Sequence, residues 1–76
     1  MTPHRIHLEQ CQPQRNRFRF YSLSLEPNLF GGWSLVREWG RIGQAGRMHA
    51  DLYATELDAQ AAMARKAQQK RRRGYR

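Results

Sequence analysis

Arg17-Phe18-Arg19-Phe20-Tyr21-Ser22-Leu23-Ser24-Leu25-Glu26 alternates with a period of two. Tyr21, Leu23 and Leu25 fall on one side of an extended chain, and Ser22 and Ser24 fall on the other. Outward from this strand the sequence breaks into similar pieces. On the N-terminal side, residues 4–11 place Ile6 and Leu8 on one parity and read as a strand, and Gln12 to Asn16 interrupt it. On the C-terminal side, Pro27, Asn28, Gly31 and Gly32 mark a hairpin loop whose apolar tip, Leu29 and Phe30, is expected to fold back over the sheet. Trp33 to Arg41 is the third strand. Gly43 and Gly46 frame a tight connection into a fourth, near Arg47 to Tyr53.

Beyond Ala54 the pattern changes to that of a helix. Thr55 is an N-cap and Asp58, three residues on, supplies a capping-box carboxylate at the positive end of the dipole. The helix is expected over about residues 56–73, with Leu57, Ala61, Ala64 and Gln68 near one stripe and Ala59 and Met63 beside it. Gly74 suits a C-cap, and Tyr75 is placed to return to the sheet as a short closing strand. The economical architecture is α+β: a twisted antiparallel sheet of four to five strands with one C-terminal helix on one face. The chain reads as one domain over residues 1–76, with its core in 17–75.

With 76 residues the chain has room for one small core, and a deep enzyme pocket is not expected. Fourteen Lys and Arg against six Asp and Glu leave a formal charge of +8, and residues 59–76 contain no acid at all. The natural partner is a polyanion. Nucleic acid, an acidic membrane leaflet and an acidic protein all satisfy the charge argument. The excess of Arg over Lys tilts it toward nucleic acid, because the guanidinium fork matches phosphate oxygens and stacks on flat rings. A single cysteine, Cys11, rules out an intramolecular disulfide and fits a cytoplasmic setting, the bacterial cytosol or nucleoid. No apolar run approaches the roughly 18 residues of a membrane span.

The segment Trp39-Gly40-Arg41-Ile42-Gly43 resembles the signature of the WGR domain, known from DNA-dependent poly(ADP-ribose) polymerases and from short bacterial proteins. Phe20 to Leu25 is similar to the family's aromatic-Tyr-x-Leu-x-Leu strand. Leu29 to Glu38 is similar to its bacterial branch, and Lys70-Arg71-Arg72-Arg73-Gly74-Tyr75 to that branch's closing basic run. The resemblance spans Phe18 to Tyr75. It implies that Trp39 packs against sugar at a DNA break while nearby cations hold phosphates, and that Arg41 lies at a contact surface, toward nucleic acid or toward a protein. These 76 residues show no catalytic domain, regulatory helical domain or zinc finger, so the family's association with NAD chemistry does not carry over.

The residues also speak for themselves. Arg37 and Arg41 share the parity of Trp39, which puts two cations beside one aromatic plate, and Gly40 is expected to leave the backbone next to the indole uncovered. Parity alone leaves open whether Trp39 is core or contact, since Trp33 and Leu35 share it. Arg41 has ordinary partners in Glu38 or Asp51, and the run Lys70 to Arg73 has an ordinary reading as a solvated helix end. Gly40, Gly43 and Gly46 are better explained as turn residues than as a phosphate loop, since no Gly-Lys-Ser/Thr follows them. His4, His7, Cys11 and His49 do not form a metal site by local spacing: on a strand His7 and Cys11 lie roughly 13 Å apart. No carboxylate pair or nucleophile motif supports catalysis, and no cofactor or small-molecule substrate is expected.

The resulting expectation is a non-catalytic nucleic-acid-binding module. It takes DNA in preference to RNA and grips backbone and ends or nicks without reading base sequence, through Trp39, Gly40, Arg41, Arg37, Arg47, Lys70, Arg71, Arg72 and Arg73. An adaptor for an acidic protein partner and an RNA-binding module are the alternatives, and no membrane is involved.

Overall fold

The computed structural model describes residues 4–76. Four strands, β1 (Arg5–Gln12), β2 (Arg17–Pro27), β3 (Trp33–Arg41) and β4 (Arg47–Tyr53), pair antiparallel in sequence order, and the helix α1 (Glu56–Arg72) lies on one face. Register is set by the β2 alternation. Tyr21 faces Leu8 and Trp39, and Leu25 faces Leu35, so that one side of the sheet is largely apolar at its centre, interrupted on β3 by Arg37 opposite Leu23. With Leu23, these residues form the core under Ala59, Ala62, Met63 and Ala67 of α1. Leu23, Leu35 and Met63 are sealed almost completely, each worth about 1.5–3 kcal/mol of burial.

The inward stripe of α1 differs from the expected one. Ala59, Ala62, Met63 and Ala67 are buried, whereas Leu57 is 76% exposed and Ala61, Ala64 and Gln68 face solvent. Alanines lie on every side of this helix, so the sequence carries almost no phase information. Met63 and the sheet beneath it decide the rotation. The helix starts where expected, with the Thr55 hydroxyl accepting from the Asp58 N–H at 3.1 Å.

Its end is a Schellman closure. Tyr75 N–H donates to Lys70 O and Gly74 N–H to Arg71 O, both at 3.1 Å, with Gly74 at φ +96°. This reversal drives Tyr75 under the helix into the core and leads Arg76 to the outer edge of β1. There it exchanges two backbone hydrogen bonds with Glu9, at 2.8 and 2.9 Å. The buried Gln10 secures the same corner by donating from Nε2 to Arg73 O at 2.6 Å. The sheet therefore has four strands, and its last residue completes one edge as a single residue pair.

Two loop expectations are corrected. Leu29 and Phe30 do not cover the sheet; they are 99% and 91% exposed. Asn28 Oδ1 accepts from the N–H groups of Phe30 and Gly32, at 2.9 and 3.0 Å, and Asn28 N–H donates to Gly32 O. The loop thus closes on its own backbone and turns both side chains outward. Gly40 does not leave an open space either. A Cβ there would meet Gly46 Cα at 3.0 Å, and one at Gly46 would strike the Trp39 carbonyl and the Phe20 ring. These two glycines let the β3–β4 turn lie flat on Phe20.

Candidate nucleic-acid interface

The antiparallel register and the direction of α1 together gather cations at one end of the molecule. The turn between β1 and β2 (the 3-10 segment Pro13–Arg15), the start of β2, the end of β3 and the start of β4 all lie there, and Arg19 faces Arg41 while Trp39 faces Arg47. The last turn of α1, with Lys70, Arg71 and Arg72 and the C-cap Arg73, arrives over the same end. Acids lie mostly elsewhere: Glu56 and Asp58 are in the first turn of α1 and Glu26 is near the far end of β2. Among the described residues, Arg37 is the one Lys or Arg within 4 Å of a carboxylate, its Nε being 3.2 Å from Asp51. Asp51 also accepts His49 at 2.9 Å. The cationic end is left without internal neutralisation.

A recess of about 380 Å³ opens in this end, lined by Arg15, Asn16, Arg17, Phe18, Arg19, Gly40, Arg41 and Tyr75. Asn16 adopts the left-handed conformation, φ 51°, which asparagine tolerates better than most residues. Its carbonyl and side-chain oxygens accept from the Arg41 guanidinium at 3.4 and 3.3 Å, and the same guanidinium lies 5.4 Å over the Phe18 ring. These contacts hold the guanidinium of Arg41 at the recess while leaving its charge available.

Beside the recess is an aromatic floor capped by cations. Tyr21 and Trp39, cross-strand partners, have ring centres 6.1 Å apart and planes 22° apart, and Tyr75 meets Tyr21 edge-on at 6.3 Å. Lys70 Nζ is 4.5 Å from the Tyr21 ring and 5.6 Å from Tyr75, and the Arg37 guanidinium is 5.8 Å from Trp39. Burial, and after it the neighbouring charges of Arg73, Lys66, Arg37 and Arg19, lower the Lys70 amine below the usual lysine value. Arg37 is pushed the other way, first by the Tyr21 hydroxyl, with Asp51 and Tyr53 assisting against its own desolvation.

The sequence-derived residues separate into groups. Trp39 is half-buried against the core, with Arg37 over it. Arg37 is largely engaged with Asp51, although its Nε–H has no well-aligned acceptor. Arg41 and Gly40 line the recess; Arg47 is exposed at the start of β4. Lys70 is half-buried next to Tyr21, and Arg71, Arg72 and Arg73 are exposed around the helix end. Arg15, Asn16, Arg17, Arg19 and Tyr75 are not among the contact residues that the sequence suggests. Arg17 and Arg19 share the parity of Tyr21, a signal in the strand pattern itself, but their meeting with Arg41 and Tyr75 depends on tertiary structure.

A small α+β module whose distinctive surface is built from cations and aromatic rings belongs to the class of binding domains. The chain is a member of the WGR domain family, whose model matches residues 4–76. That family is non-catalytic and suggests, in a general sense, interaction with nucleic acid. The chain is also 46% identical over 74 residues to the uncharacterized protein y4dW of Sinorhizobium fredii. The match covers 97% of this chain and 36% of that protein, so the chain spans about a third of the relative's length. Among the described residues, no helix is long and apolar enough to cross a membrane.

Proposed function

We propose that this domain binds DNA through its phosphate backbone, favouring ends and nicks, without reading base sequence. The observation that carries the reading is the un-neutralised cationic end, in which Arg15, Arg17, Arg19 and Arg41 surround one recess and Lys70 stands beside it. Cations crowded together without acids raise the free energy of the unbound domain, and a phosphate placed among them relieves that repulsion. A recess, as opposed to a long groove, suits a terminal or displaced phosphate better than an uninterrupted duplex. The faces of Tyr21 and Trp39 already carry Lys70 and Arg37, so the rings are poorly placed as stacking plates for splayed single-stranded bases, which favours DNA over RNA. A cytosolic or nucleoid location forms part of the same proposal.

The test is a titration of blunt, nicked and closed circular duplex at two salt concentrations. Binding through four to six phosphates gives a log–log salt slope of about −4 to −5, tighter on the first two substrates than on the third. Equal and negligible binding to all three refutes the proposal. Arg17→Gln, which removes one charge from the recess, is expected to reduce the preference for ends more than the affinity for closed duplex.

A second reading, an adaptor for a protein partner, is favoured by the rigid and exposed Leu29–Phe30 tip, which lies on the β2–β3 loop at the other end of the sheet. A partner captured from nuclease-treated lysate by wild type, and lost with Leu29→Ser/Phe30→Ser, supports it.

A further inference from the structure

The two edges of the sheet are treated differently. β1 is met by Arg76, whose backbone exchanges hydrogen bonds with Glu9. β4 pairs on one side with β3, and along its other side lies no strand of the described residues. Open edges are normally guarded by proline, inward charge, lysine or a bulge. β4 contains no proline or lysine, its register with β3 runs unbroken from Arg47 to Tyr53, and the carboxylate it turns toward the α1 face, Asp51, already has Arg37 beside it at 3.2 Å.

The seven residues of β4, Arg47-Met48-His49-Ala50-Asp51-Leu52-Tyr53, are self-complementary about Ala50. If two copies of the strand run antiparallel with Ala50 opposite Ala50, His49 faces Asp51 of the partner subunit. Met48 then faces Leu52 of the partner subunit, and Arg47 faces Tyr53 of the partner subunit. Each pair is of a favourable kind: imidazole with carboxylate as a hydrogen-bonding pair, apolar with apolar, cation with aromatic ring. Parity agrees as well. Met48 and Leu52, 67% and 66% exposed, both lie on the sheet face away from α1, so pairing covers apolar surface on both copies.

We infer that β4 is a homodimerisation edge, joining two copies into one continuous sheet about a two-fold axis at Ala50. The charge distribution permits this despite +8 on each copy. Arg47 begins β4 at the cationic end, so antiparallel pairing sends the two cationic ends in opposite directions and keeps them apart. The inference does not depend on nucleic-acid binding and is tested without nucleic acid.

Sedimentation velocity over a concentration series measures association, and cysteine pairing reads the register. In a Cys11→Ser background, Ala50→Cys is expected to form a covalent dimer under mild oxidation, because paired Cα atoms across antiparallel strands lie roughly 4.5–5.5 Å apart, within disulfide reach. Met48→Cys or Leu52→Cys alone is expected not to, since like positions are then roughly 13 Å apart; an equal mixture of the two does cross-link. Met48→Lys/Leu52→Lys is expected to weaken association at least tenfold, and Met48→Glu/Leu52→Lys to restore it, with unchanged circular dichroism in both. A chain that sediments as monomer throughout the series, cysteines that cross-link regardless of position, or a dimer indifferent to both charge variants overturns the inference.

Discussion

Lys70 Nζ stands 4.5 Å from the centre of the Tyr21 ring, so the last turn of the helix rests its one half-buried cation on the cross-strand partner of Trp39. This contact ties the basic helix end to the aromatic floor, in an environment that disfavours the charge it carries. Lys70→Met keeps the apolar stem and removes the charge. The variant is expected to melt no lower than wild type while binding duplex DNA more weakly, with a salt slope shallower by about 0.9 for one lost phosphate contact. Thermal melts and a salt-dependent titration check both halves.

The lowered Lys70 value also sets a pH dependence. Between its folded value and the ordinary lysine value of about 10.4, the unfolded chain holds more protons than the folded one, so stability from this group rises with pH across that window. Arg37 is displaced upward and stays protonated throughout, so it contributes no dependence there. The expected result is that wild type gains stability relative to Lys70→Met as the pH rises toward the ordinary lysine value, read by urea denaturation at each pH.

Position should matter more than net charge. Arg19→Glu and Arg5→Glu change the total charge equally, but Arg19 lines the recess and Arg5 begins β1 at the opposite end of the sheet. Arg19→Glu is expected to weaken DNA binding at least tenfold and Arg5→Glu about twofold or less. Equal losses in the two variants would mean that the domain attracts DNA by its overall charge alone.

The two glycines of the β3–β4 turn are expected to differ in cost. Gly46→Ala forces a Cβ against the Trp39 carbonyl and within 2.8 Å of Phe20 Cζ, contacts that relax only by moving backbone, and should destabilise by about 1–3 kcal/mol or more. Gly43→Ala meets no atom within 4 Å and suffers only from φ +86°, at about 1–2 kcal/mol. Urea denaturation of both proteins orders them.

Leu29→Ser/Phe30→Ser should leave the melting midpoint almost unmoved, within about 0.5 kcal/mol, because neither side chain packs on anything. A large loss of stability would show that the tip is buried in solution.

Much of the fold was legible because strands report themselves through alternation. Tyr21, Leu23 and Leu25 are buried and Ser22 and Ser24 less so, as their spacing demands, and β3 and β4 fall where the turn glycines place them. The helix was legible in its ends and illegible in its rotation. Thr55 and Gly74 have local jobs that their own chemistry announces, whereas Ala59, Ala61, Ala62 and Ala64 look alike until a sheet selects among them. The Leu29–Phe30 tip misled for a related reason: apolarity signals a preference for burial, but the Asn28 hydrogen bonds decide which way the loop faces.

By itself the sequence determined the element order, the apolar face of β2, the excess of arginine and the resemblance carried by Trp39-Gly40-Arg41, all properties of residues or short periodic runs. Tertiary structure alone decided that Arg15, Arg17, Arg19 and Arg41 share one recess, that Lys70 sits on Tyr21, and that Trp39 is neither wholly core nor an open plate. The reason is physical. Periodicity assigns each side chain to a face, but which charges become neighbours depends on strand register and helix direction, and those are settled only when the whole core packs at once.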